Sequence, residues 1–151
     1  MRYEPVTSDV KETVRNLINT TFPELGGAKI LCVFDTQKRE SKGRLILADI
    51  KKAGEFEKFL TMDEADNEGY DYIMRIDLKA WTLGTNEDRT RLIRHELRHT
   101  LVDNDATKPW KLRGHSIEDF YSEIRLNEDN PRWAEDLSMK VISSYEMEKE
   151  K

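Results

Sequence analysis

The sequence predicts an α+β domain, a small sheet beside a helical layer, because apolar residues recur at helical spacing near the N-terminus, in strand-like runs mid-chain, and at helical spacing again from about residue 85. A chain of 151 residues can bury roughly 70% of the surface its unfolded form exposes. A single domain over residues 1–151 is therefore expected.

Each element has its own signals. Asp9 followed by Glu12 reads as a capping box, and Val10, Val14, Leu17 and Ile18 continue it as a helix near 9–20, stopped by Pro23 and the pair Gly26 and Gly27. Ala28 to Phe34 and Arg44 to Ile50 are apolar runs with β-branched members, separated by the polar stretch Asp35 to Gly43; they read as two antiparallel neighbouring strands. From Lys51 to Glu68 the signals conflict, since Phe56, Phe59 and Leu60 suggest a helical turn and the acidic residues after Asp63 a loop. Tyr72, Met74, Ile76 and Leu78 alternate with Asp71, Ile73, Arg75 and Asp77 as a half-buried strand requires. Thr85 or Asn86, with Glu87 and Asp88 in the first turn, opens a helix to about Leu101, with Ile93, Leu97 and Leu101 as its buried stripe. Val102 to Gly114 reads as a loop. Ser116 with Asp119 caps another helix that buries Ile117, Phe120 and Ile124. Pro131 opens a last helix, about 131–146, with Trp133, Leu137, Val141 and Tyr145 as its repeat and a frayed end.

Composition narrows the function. A net charge of −5 argues against general nucleic-acid binding, which needs a clustered basic surface. The single cysteine, Cys32, has no internal disulfide partner and reads as a small buried hydrophobe, in keeping with a reducing compartment. No stretch approaches the ~20 apolar residues of a membrane span and no leader-like apolar region opens the chain, so a cytoplasmic protein is expected.

The chemistry centres on Arg91 to Leu101. On a helix, His95 and His99 fall one above the other with Glu96 beside them, the HExxH arrangement. Two imidazoles one turn apart can ligate one Zn2+, and the carboxylate between them can act as general base toward an activated water. All three histidines of the chain, His95, His99 and His115, lie within 21 residues, and His115 is the natural third ligand; Glu118, Asp119 and Glu123 are the alternatives. Asp119 or Glu123 could instead orient a ligand imidazole, and Tyr121 or Arg113 could stabilise an oxyanion. The bland reading makes the same stretch an exposed helix surface, with Arg91, Arg94 and Arg98 in salt bridges to neighbouring acids.

Three groups of residues carry a resemblance to the phage metallopeptidase family of small zincin-like proteins: Tyr70 to Asp77 with Trp81, Arg91 to Thr100, and Lys111 to Phe120. The likeness is densest over about 45–125. It implies a minimal zincin-like fold, with His95, Glu96 and His99 matching the family motif and His115 its downstream histidine. It also implies a peptidase with a role inside an infected bacterial cell; the substrate expected of a zinc peptidase is a protein or peptide.

Two other functions compete with a zinc peptidase. One is a non-catalytic zinc-binding protein that modulates a host factor. The other is nucleic-acid association through Lys108, Lys111 and Arg113 around Trp110, for which a solvated loop with one anchored aromatic is the simpler explanation.

Overall fold

The computed structural model describes residues 1–65, 68–116 and 118–150, which fall into two compact units, Met1–Gly114 and His115–Lys151. The mixture of helices and small sheets is the expected α+β class.

The main sheet of the first unit has the order β1-β2-β6-β5. Its strands are β1 (Tyr3–Pro5), β2 (Ile30–Asp35), β5 (Ala48–Lys52) and β6 (Tyr72–Asp77), with β3 (Glu40–Ser41) and β4 (Arg44–Leu45) as a separate hairpin. β6 alternates as its pattern predicts: Tyr72, Met74 and Ile76 are fully buried, and Ile73, Arg75 and Asp77 only partly. It is paired on both sides, parallel to β2 and antiparallel to β5.

The expected pairing of the two earlier strands is thereby corrected, because β6 lies between them. The second run also breaks after Leu45. Its first two residues turn back on Glu40 and Ser41 through Lys42 and Gly43, whose φ values of 52° and 76° are the left-handed pair that a two-residue hairpin requires. Only from Ala48 does the chain join the sheet.

Helix α1 (Ser8–Thr20) turns Val10, Val14 and Leu17 into the core. Its N-cap position is Thr7 and the expected box at Asp9 does not form; Asp9 accepts instead from the Trp81 indole at 3.0 Å and from the Thr7 hydroxyl. The ambiguous stretch after β5 holds α2 (Glu55–Thr61), which buries none of its residues. A helix unmarked in the sequence reading, α3 (Leu78–Leu83), starts directly from β6, because the Asp77 side chain accepts from the Ala80 amide at 2.9 Å and so caps it. α3 buries Trp81 against Phe34.

The second unit contains α5 (Tyr121–Leu126) and α6 (Trp133–Lys149). The helix expected from Ser116 starts later, and Phe120 and Ile124, expected to be buried, are exposed; Ile117 lies outside the described residues. The repeat Trp133, Leu137, Val141 and Tyr145 is exposed as well, on a helix that runs past its expected end at 146. Apolar residues recur around this helix rather than on one stripe, so the four-residue repeat did not define a single buried face. Among the described residues no helix is long and apolar enough to cross a membrane.

Candidate metal centre

Helix α4 (Asn86–Arg98) carries the motif. It opens with a reciprocal capping box, in which the Asp88 amide donates to Thr85 Oγ1 at 3.1 Å and the Thr85 amide donates to Asp88 Oδ2 at 3.0 Å. Ile93 and Leu97 are fully buried, anchoring the helix on the core.

The helix stops at Arg98, short of the expected Leu101, which is exposed in β7 (Thr100–Val102). Two groups end it. The Thr100 hydroxyl donates to the Leu97 carbonyl at 2.6 Å, and Arg113 Nε donates to the Arg98 carbonyl at 2.8 Å. A cation at a helix C-terminus also opposes the negative end of the helix dipole.

Arg113 gets there because the expected loop 102–114 contains a hairpin, β7 paired antiparallel with β8 (Trp110–Leu112). Trp110 packs edge-on against Tyr72, whose hydroxyl donates to the Lys111 carbonyl at 2.8 Å. The hairpin is thus pinned to the centre of the sheet.

The ring of His95 in the last turn of α4 and that of His99 at its C-cap stand edge to face with centroids 5.2 Å apart, and their ligand nitrogens lie within 4.8 Å. Two nitrogens on one tetrahedral Zn2+ are about 3.3 Å apart, so modest ring rotation brings these two onto one ion. His99 Nδ1 lies 2.8 Å from the Arg113 carbonyl oxygen. A carbonyl only accepts, so Nδ1 carries the proton and Nε2 offers its lone pair to a metal. The donor set of this turn fits a borderline-soft cation.

Glu96, on the same turn, is only 5% exposed. Burial pushes its carboxyl up to about 8, with the charge of Asp49 adding to the effect and Arg39 opposing it. Those two belong to a chain of alternating charges. Arg2 and Arg39 hold Asp35, and Arg39 and Arg75 hold Asp49 on β5, the strand against which α4 packs.

In the second unit, His115 Nδ1 lies 3.3 Å from Glu118 Oε1. Asp119 accepts from the Phe120 amide, Glu123 lies in the first turn of α5, and Tyr121 is fully exposed. The other suggested oxyanion donor, Arg113, has its Nε engaged with the Arg98 carbonyl. Two of the three basic residues around Trp110 form ion pairs, Lys111 with Asp103 at 2.9 Å and Lys108 with Glu55 at 3.5 Å.

Sequence reasoning missed the Arg113 carbonyl and the Asp49–Arg39 pair. A backbone carbonyl has no residue-type signal, and the ion pair depends on the sheet order that the sequence reading had differently.

Fold and motif together describe an α+β protein built around a histidine-bearing helix of the HExxH type. The chain belongs to the family described as putative phage metallopeptidase, whose model matches residues 1–141 of the 151. That family assignment implies a metal ion and a phage association. No curated protein and no solved structure matches the chain.

Proposed function

We propose that the chain is a zinc-dependent peptidase in which His95, His99 and His115 hold one Zn2+ and Glu96 is the general base. The observation that carries this reading is the turn His95–Glu96–His99, with His99 oriented through Nδ1 by the Arg113 carbonyl. His115 follows Arg113 by two residues, so the chain itself keeps its Cα within about 7 Å of a residue bonded to His99. His115 is the one other histidine of the sequence, which supports it as the third ligand in this reading. Glu118, beside His115, can orient that imidazole.

A bound Zn2+ supplies Lewis acidity toward a water molecule and a peptide carbonyl. Glu96 takes a proton from the attacking water on its carboxylate and delivers it to the leaving nitrogen. Its burial favours both steps, since a carboxyl raised toward neutrality can accept and return a proton near pH 7. The substrate in this reading is a protein or peptide.

The test is hydrolysis of a peptide library by zinc-loaded wild type and Glu96→Gln, with a chelator control. Cleavage is expected in wild type alone and falls by about 10²–10⁴-fold in Glu96→Gln, which keeps its metal. If wild type holds zinc but cleaves nothing, the protein is a non-catalytic zinc-binding module.

A further inference from the structure

The ladder between β1 and β2 stops short. It pairs Tyr3 with Asp35, Glu4 with Phe34 and Pro5 with Val33, and there it ends. Beyond Pro5 the chain turns at Thr7 into α1, so β1 supplies no partner opposite Cys32. β2 nevertheless extends three residues further, through Cys32, Leu31 and Ile30, all in register with β6.

The backbone groups of those residues face two ways. Lys29 accepts from the Tyr72 amide on the β6 side, so by alternation Leu31 and Val33 also turn their amides and carbonyls toward β6. Ile30 and Cys32 turn theirs to the opposite edge. No backbone partner meets them there among the described residues.

That edge lines a groove of about 900 Å3 which none of His95, Glu96 and His99 touches. Val14 and Ile18 of α1 form an apolar wall, and Lys11 and Arg15, one helical turn apart, stand on its rim. Both are exposed, and neither forms an ion pair among the described residues.

We propose that this groove takes an extended segment of a partner protein, which adds as a strand along β2 at Ile30 and Cys32 and sets an acidic side chain against Lys11 and Arg15. A strand supplies the alternating donors and acceptors that two open backbone positions require; a purely apolar ligand would leave them unpaired. Glu4 and Glu64 also line the groove, so its preference for acid is confined to the α1 side and polyanions such as nucleic acid are disfavoured. The site lies at the opposite edge of the sheet from β5 and does not depend on the peptidase reading.

The probe is the peptide Ac-Val-Asp-Val-Asp-Val-NH2, added to the full chain in the presence of a chelator, with amide exchange read by NMR. Exchange at Ile30 and Cys32 is expected to slow by about tenfold or more at saturation. The lysine analogue Ac-Val-Lys-Val-Lys-Val-NH2 binds about tenfold more weakly, and Lys11→Glu with Arg15→Glu, both exposed positions, reverses that preference. A fully N-methylated acidic peptide, unable to donate to a strand, does not bind. Unchanged exchange at Ile30 and Cys32, or equal binding of the N-methylated peptide, overturns the proposal. So does protection that appears without peptide and grows with protein concentration, since a second copy then fills the groove.

Discussion

Asp35→Asn tests the brace beneath the candidate site. Asp35 is fully buried at the end of β2; its two oxygens accept from Arg2 Nε and Nη2, each at 3.0 Å, and from the Gln37 amide at 3.0 Å, and Arg39 Nε lies 2.9 Å from Oδ2 as an ion pair. Asparagine keeps the shape but removes the charge and turns an NH2 toward arginine donors. Breaking a buried ion pair costs about 3–5 kcal/mol. Arg2 is 37% exposed and regains water, whereas Arg39 is 12% exposed and keeps only Asp49, so a net loss of about 2–3 kcal/mol is expected. For a chain of this size that lowers Tm by about 4–12 °C.

The pH dependence sharpens the test. The Arg2 guanidinium, bonded to Asp35, holds this carboxyl below the usual carboxylate range; the Gln37 amide and Arg39 add to the effect, and burial opposes it. Its unfolded counterpart titrates near ~3.9. The native state therefore stays ionised where the unfolded chain takes up a proton. The stabilisation is complete above about pH 5 and is lost as pH falls through ~3.9 to the lower native value. Urea unfolding of both proteins between pH 7 and pH 3 should show the gap narrow at the acid end. A gap under about 0.5 kcal/mol at pH 7, or one constant down to pH 3, refutes the reasoning.

Other outcomes are expected from single contacts. Tyr72→Phe leaves the Lys111 carbonyl without its donor and should cost about 1–2 kcal/mol in urea unfolding, with a loss near zero counting against the pinned hairpin. Gly69 has φ of 76° and an added Cβ would lie 2.2 Å from the Lys58 carbonyl oxygen, so Gly69→Ala should cost about 2–4 kcal/mol; unaltered thermal stability would contradict that backbone geometry.

Local chemistry made part of this molecule legible in the sequence. The alternation of Tyr72 to Ile76 and the Thr85–Asp88 cap report directly on one strand and one helix end, and both formed as expected. The HExxH turn was legible for the same reason, since i,i+4 spacing on a helix is geometry. What escaped depended on distant partners. β6 lies between β2 and β5 because three strands from different parts of the chain share one buried face, and neither run's own pattern reveals its neighbour. β1 is three residues long and all exposed, so it had no periodicity to read. The Arg113 carbonyl meets His99 only because β8 folds back on β7, in a stretch whose Asp, Asn, Pro and Gly content signalled loop.

The central claim is the three-histidine metal site, and metal content tests it most directly. Inductively coupled plasma mass spectrometry on tag-free wild type, Glu96→Gln, His99→Ala and His115→Ala, each dialysed after zinc addition, counts ions per chain. Wild type and Glu96→Gln should carry about one zinc, as one set of three imidazoles with an open position holds, and the two histidine variants should carry almost none. Wild-type protein that takes up no zinc, or His99→Ala that keeps it, would contradict the site.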